Sequence, residues 1–587
     1  MWISPRIWRS PKSEFNDDEP LHAATVYTPH ALRQITAQGF NAIWMRGRLW
    51  DLIRSEICPE LNDQLADRRL ASLRTVISNA QALGVKVYLF FNEPLGLPAD
   101  HRLWTTHPEL AGQPSIDFST GRKVLAVCTS TPQFKAFFDE SVGNLLADLP
   151  GLGGVILITA SEHHSHCWSH NTTRRVDDAC VAKGELPMRC PRCKSRQPAD
   201  IVAELVETWQ RHARQQAKPP EIWVWNWSWS MWYDEPQDEI ISRLPRGVKL
   251  LCDFERGGVR TQDIGDVFID EYSLGYVGPA ERCVGSISHA RRHGLGVCAK
   301  LQIGVTHELA TVPNIPVIPC LFDKLRRVDD LALDGLMCSW NFGNSPSLNT
   351  AAMKLYANTP ALRGDKKAFL LALEGQYFGT SRPQDVLTAW DCFGKAFGEY
   401  PLSLAMLYFG PMNYSVSYAL SGEYRDRPMG SSWIWHEPFG DRLEDCLSPF
   451  SLDQVLRCLE LMDQHWSRGM VAYSLALDDT NNKHQVDELN CATMIGLHIS
   501  AARNIFDFHD WRRRAMKAGG LDGPCMIDLD EHASDIISRQ VATCERALKL
   551  ATSDERFGYH QEPQARFYTP ESISHCIRAM LDQAKSG

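Results

Sequence analysis

No stretch of the 587-residue chain approaches eighteen consecutive apolar residues, so no segment reads as a membrane span. The opening MWISPRIWRSPKSEF holds no apolar run of signal-peptide length, and prolines break it early. A cytoplasmic protein is therefore expected. Long Lys/Arg runs are missing as well, and the formal net charge is −10, which argues against a nucleic-acid partner. There is no low-complexity segment and no repeat at solenoid period. The 18 cysteines do not form a disulfide framework; Cys58, Cys128, Cys252, Cys298 and Cys338 sit inside apolar runs and read as buried free thiols. With 44% hydrophobic and 22% charged residues, the composition is that of a globular protein long enough for two or three domains.

What is present over the first 350 residues is a rhythm of amphipathic helix, glycine, short apolar strand and polar loop. PHALRQITAQGFNAIWMRG, ASLRTVISNAQALGVKVYLFFNEP and FKAFFDESVGNLLADLPGLGGVILITASE show it in turn. Strands apolar on both faces, alternating with helices, imply a parallel sheet covered on both sides. Eight strands begin near Asn41, Val85, Val155, Trp223, Leu250, Val267, Val297 and Leu336, with WISPRIW as a further strand that would shift the numbering by one. Eight parallel strands close a (β/α)8 TIM barrel. The competing open sheet would be marked by a Gly-rich phosphate fingerprint, and none opens any helix. The expected architecture is a barrel over residues 1–350, a Cys/His-rich insertion at 163–200, and a mostly helical C-terminal domain over 351–587.

A barrel builds its site from the C-terminal strand ends. Those ends supply Arg46, Glu93, Glu162, His164, Trp225, Trp227, Asp253, Asp270, Glu271, Tyr272, Lys300, Gln302, Glu308, Trp340 and Asn341. Carboxylates on several strand ends suit glycosidic bond cleavage, which needs one acid for the leaving oxygen and a second group at the anomeric centre. Tryptophan points the same way: WVWNWSWSMW holds five in ten residues, and flat apolar faces suit pyranose rings. Glu162 ends the apolar strand GGVILITA before a polar, His-rich loop and is the expected acid. Asp270, Glu271 and Glu308 are the candidate partners. On a strand only one of Asp270 and Glu271 can face the lumen. Arg46 and Asp253 would equally serve as a pair across the barrel, and half of the Trp run would serve as core.

The loop after Glu162 reads EHHSHCWSHNTTRRVDDACVAKGELPMRCPRCKSR. Cys190 and Cys193 form a CxxC pair, preceded by Cys167 and Cys180. Four thiolates match a closed structural zinc site, which would staple an insertion that lacks a core of its own. No organic cofactor is expected. His164 and His166 form an HxH pair, which keeps a metal-dependent barrel hydrolase in view.

The strands GFNAIWMRGRLWDL, GVKVYLFFNEP and GGVILITASE resemble those of glycoside hydrolase family 20, the β-N-acetylhexosaminidases. ITASEHHSHC with CPRC, DEYSLGYVGP, AKLQIGVTHELATVPNIPV and LMCSWNFGNSPS are similar to a set of bacterial family-20-like proteins. The resemblance covers roughly residues 35–350. It implies a barrel enzyme whose Glu162 is the general acid. In the family an Asp precedes that Glu and orients the substrate's own acetamido nucleophile; here Ser161 stands in its place and cannot carry the charge. Asp270, Glu271 or Glu308 would have to take over. The resemblance also implies pocket roles for Tyr272, Trp225, Trp227 and Trp340. The expected function is therefore an exo-acting glycosidase on a terminal sugar. The set Arg46, Lys300 and Asn341 leaves an acidic sugar (sialic or uronic) open, and the missing Asp leaves a non-catalytic sugar-binding barrel open. The partner is a carbohydrate, and a homo-oligomer is left open.

Overall fold

The computed structural model describes residues 2–13, 17–117, 121–161, 163–169, 188–431, 437–519 and 526–586. Eight strands close a barrel: β1 (Arg6–Trp8), β2 (Ala42–Arg46), β3 (Lys86–Phe91), β4 (Gly154–Ile158), β5 (Glu221–Trp225), β6 (Lys249–Asp253), β7 (Gly296–Lys300) and β8 (Leu336–Met337). Each strand pairs in parallel with its sequence neighbour, and β8 pairs with β1. The architecture is a (β/α)8 barrel with a helical C-terminal region.

Local chemistry explains the rhythm. The helix Pro132–Asp148 starts with Pro at its first position, and the Thr131 hydroxyl accepts the Phe134 N–H, so both devices stop the preceding loop at one residue. Glycine returns the chain to the sheet: Gly84 precedes β3 with φ +69°, a conformation that a side chain would strain. Every residue of β4 is buried, because helices cover one face and the lumen lies on the other.

One expected barrel strand is not one. The segment at Val267 lies in Gly265–Ile269, which pairs antiparallel with Gly258–Gln262 as a separate hairpin. The barrel is closed by β1 instead. The hairpin's burial alternates, with Val259 54% and Phe268 57% exposed, whereas a barrel strand is covered on both faces. Its inward side chains dock on the C-terminal region: Arg260 donates to the carbonyls of Phe397 and Tyr400, and Gln262 to Gly398 and Tyr400.

The lower end of the lumen is closed by charge. Glu221 accepts from Lys86 Nζ (2.6 Å), Lys249 Nζ (2.8 Å), Trp223 Nε1 (2.9 Å) and Tyr88 Oη (3.0 Å). The helix Leu348–Asn358 opens with a capping box from Ser347 and Thr350 and packs on Ile318–Asp330. Helices then dominate, including the 37-residue Lys483–Gly519. No helix of the described residues is long and apolar enough to cross a membrane.

Candidate active site at the barrel mouth

Period-two alternation puts Trp44 and Arg46 of β2, Trp223 and Trp225 of β5, Leu251 and Asp253 of β6, and Cys298 and Lys300 of β7 on the lumen side. At the upper end the aromatic rings form a wall. Trp44 stacks on Trp340 with centroids 4.7 Å apart, and Trp225 meets Trp340 edge-on at 4.9 Å. Trp227 continues from Trp225 at 5.3 Å, and the Arg256 guanidinium lies 4.3 Å from its ring centroid. The Lys300 ammonium sits directly on the face of Tyr272.

Polar atoms gather inside this wall with no hydrogen-bond partner among the described residues. They are both Asp253 oxygens, Lys300 Nζ, Tyr272 Oη, Trp225 Nε1, both ends of the Gln302 amide, Asn341 Oδ1 and Asn92 Oδ1, all on buried residues. One such atom costs about 1–3 kcal/mol, so a set of them in one place marks a surface shaped for a polar ligand. Asp253 faces Arg256 at 3.6 Å as an ion pair without a hydrogen bond. Despite burial, Glu271 and Asp253 keep the Arg256 guanidinium firmly charged. Burial pushes Lys300 down to about 7, against the pull of Asp253, Glu255 and Glu271.

Of the adjacent acids, Glu271 is buried beside the site and Asp270 is half-buried at its edge, 3.9 Å from Arg256. Burial holds the Glu271 carboxyl above its ordinary range. It accepts the Tyr272 N–H at 3.0 Å and the Tyr408 hydroxyl at 3.3 Å. Glu308 is engaged throughout: it accepts from Ser273 Oγ (2.6 Å), the Leu274 N–H (2.8 Å) and Thr306 Oγ1 (2.9 Å), and so ties two loops together. Glu93 does the same with the backbone N–H groups of Leu49 (2.8 Å) and Leu95 (3.1 Å), and burial raises it to about 7. Arg46 is largely buried at the end of β2, where its backbone N–H donates to Glu19. His164 is held away from the aromatic wall, with Nε2 against the Ile116 carbonyl (2.9 Å) and Ser115 Oγ (3.2 Å) of a small antiparallel sheet. Glu162 lies outside the described residues; Ser161 before it and His163 after it are joined by a 3.1 Å bond from the His163 N–H to Ser161 Oγ.

The structure also brings in residues that strand-end reasoning does not reach. Arg256 lies three residues past β6. Tyr408, His560 and Glu562 come from the C-terminal region, where no local pattern marks them. His307 stands one residue before Glu308 and carries contacts that Glu308 does not.

The second cluster is sulfur. Cys128, Cys167, Cys190 and Cys193 are all buried, and their Sγ atoms lie within 4.8 Å of one another. Cys180 lies outside the described residues; the fourth thiol of this group is Cys128, which the sequence places among the plain buried thiols. Cys128 Sγ is 3.7 Å from both Cys190 and Cys193 Sγ. That is far from a disulfide bond but close to the edge, about 3.8 Å, of a tetrahedron with 2.3 Å metal–sulfur bonds. Arg192 Nε donates to Cys128 Sγ at 3.1 Å, placing a cation beside the sulfur, which favours its thiolate form. The donor set can hold a soft or borderline metal ion.

No protein-family model matches the chain, and no curated protein does. Solved structures do. A GH138 enzyme targeting pectin rhamnogalacturonan II superposes with a TM-score of 0.53 at 9% identity, over 99% of this chain and 67% of that one. A Thermobaculum terrenum O-GlcNAc hydrolase mutant gives 0.38 at 9% identity, over 100% and 97%. A Flavobacterium johnsoniae chitobiase gives 0.34 at 8% identity, over 98% and 78%. The first of these shares the fold, a (β/α)8 barrel followed by a C-terminal region, along essentially the whole chain.

Proposed function

We propose that this protein is a glycoside hydrolase that removes a terminal sugar, with Glu162 as general acid. The observation that carries the reading is the group of polar atoms on Asp253, Lys300, Tyr272, Trp225 and Gln302 that have no hydrogen-bond partner among the described residues, inside the tryptophan wall. A sugar matches both halves of that surface, with ring faces for the indoles and hydroxyls for the donors and acceptors. Glu162 follows Ser161 at the end of the β4 segment, the place where a barrel strand delivers a catalytic group. Asp253 is the best-suited second carboxylate among the described residues. Both of its oxygens are uncommitted to hydrogen bonds, whereas those of Glu308 are taken and Asp270 stands at the edge. Lys300 and Arg256 beside Asp253 favour an acidic sugar over a neutral one, since a carboxylate would meet two cationic side chains. The enzyme compared above at TM-score 0.53 is described as targeting pectin rhamnogalacturonan II.

The Cys128, Cys167, Cys190 and Cys193 group is assigned a structural zinc ion, closed by four thiolates. Such a site and the free thiols of the described residues fit a reducing compartment such as the cytoplasm.

The test is hydrolysis of aryl glycosides, including N-acetylglucosaminide, N-acetylgalactosaminide, glucuronide, galacturonide and sialoside, by wild type, Glu162→Gln and Asp253→Asn. Cleavage of one class, reduced about 10²–10⁴-fold in Glu162→Gln, is expected. Full activity of Glu162→Gln on every cleaved substrate would sink the mechanism.

A further inference from the structure

A third group of potential ligands lies apart from the sulfur cluster. His307, from the loop after β7, meets His560 and Glu562, from the short hairpin Tyr559–His560/Ala565–Arg566 near the chain's end. All three are at most 2% exposed, and their donor atoms lie within 4.8 Å of one another.

The contacts in this group are not those of an ordinary buried ion pair. His307 Nε2 is 2.9 Å from Glu562 Oε2, yet that oxygen accepts no hydrogen bond. A protonated histidine paired with a carboxylate points its N–H along the line between them. Two ligands of one ion instead approach side by side. Bonds of 2.0–2.1 Å place neighbouring ligand atoms about 2.9–3.4 Å apart, for right-angled to tetrahedral geometry. His560 has a ring nitrogen to give: its Nε2 makes no hydrogen bond, and Nδ1 meets only the Glu562 backbone N–H at 3.3 Å, long for such a bond.

The surroundings are apolar. The His307 ring packs on Phe342 (4.7 Å) and Tyr408 (4.9 Å), and His560 on Phe567 (4.9 Å). A carboxylate oxygen that is buried among aromatic rings and accepts no hydrogen bond calls for a cation beside it. An apolar shell also limits water at a metal site and strengthens the bond to each ligand.

We propose that His307, His560 and Glu562 bind one borderline divalent ion, of which zinc is the type. Two imidazoles and one carboxylate are the donor set that such an ion takes when three protein ligands leave one position open. The ion clamps the terminal hairpin to the barrel mouth. It sits one residue from Glu271, since the Tyr408 hydroxyl lies 3.3 Å from Glu271 and 3.5 Å from His307 Nε2. This proposal does not depend on which sugar is cleaved, or on whether one is.

The test is metal content of the full chain after incubation with zinc chloride and desalting. Wild type is expected to hold two zinc ions, one of them lost in His560→Ala and in Glu562→Gln. The Cys128→Ser variant is expected to keep this second ion and lose the thiolate-bound one. One ion in wild type, or two in His560→Ala with wild-type circular dichroism, would overturn the proposal. Should the variants fail to fold, X-ray absorption at the zinc edge of wild type decides. Mixed nitrogen/oxygen and sulfur scattering supports the second site, and sulfur alone refutes it. Activity plays no part in either readout, so a failed glycosidase assay leaves this result untouched.

Discussion

Lys300 and Glu221 sit at opposite ends of one lumen, and burial acts on their charges with different results. Lys300 has no hydrogen-bond partner, so burial dominates and brings it down to about 7. Between pH 7 and its unfolded value the native chain binds fewer protons than the unfolded chain, so this group makes stability rise with pH across that window. Lys300→Met is expected to abolish sugar binding. It is also expected to stabilise the protein by about 1–3 kcal/mol at pH 6, because an apolar side chain replaces a buried charge. The gain should shrink at pH 9, where Lys300 is already neutral; urea unfolding at both pH values checks it. Glu221 is opposed by burial too, but Lys249 and Lys86 outweigh it and hold the carboxylate at about 2. Its contribution is present above the ordinary carboxylate range and is lost as pH falls toward 2. Glu221→Gln is expected to cost about 3 kcal/mol at pH 7, since it strands two lysines, and markedly less at pH 3.5. An equal loss at both pH values would show that charge is not the cause.

At the scale of elements, the barrel was largely legible and its exceptions are instructive. Near-continuous apolar runs, most of them behind a glycine, identify β2 to β8, because a strand covered on both faces takes an apolar composition. The run at Val267 has the same look over four residues, and only its pairing with Gly258–Gln262 makes it a hairpin. Three residues, Arg6–Trp8, are too few to show a period, and so β1 stood outside the count. The sulfur cluster divides in the same manner. Cys190 and Cys193 announce themselves by spacing, while Cys128 arrives by the fold, from the loop between the small sheet and helix Pro132–Asp148. This gives a direct comparison. Cys128→Ser is expected to release the thiolate-bound metal and expose the 163–200 insertion to limited proteolysis, whereas Cys180→Ser should do neither. Metal analysis and a trypsin time course decide between the two cysteines, and metal loss confined to Cys180→Ser would reverse the assignment.

At the scale of the whole molecule, the site is not the barrel's alone. Sequence reasoning reaches Asp253 and Lys300 because barrel-strand ends are marked by local pattern, and it reaches Tyr272 through the end of a strand that belongs to the hairpin instead. It does not reach Tyr408, 137 residues after Glu271, because only tertiary packing brings the two together. Yet Tyr408 donates to Glu271, a buried acid whose carboxyl is held above its ordinary range. A hydrogen bond to a carboxylate favours its charged form, and bonds to charged groups are worth about 1.5–3 kcal/mol, or roughly one to two pH units. Removing the Tyr408 hydroxyl should therefore raise Glu271 further. If catalysis requires Glu271 ionised, Tyr408→Phe is expected to move the acidic limb of kcat/KM upward by about one unit and leave the basic limb in place. The fold should be unaffected, since the ring and its packing on His307 remain. A pH–rate profile of wild type and variant on the same substrate reads this directly. A shifted limb would make the helical region part of the catalytic machinery. An unmoved one would assign the acidic limb to another carboxylate, with Asp253 the first to be replaced.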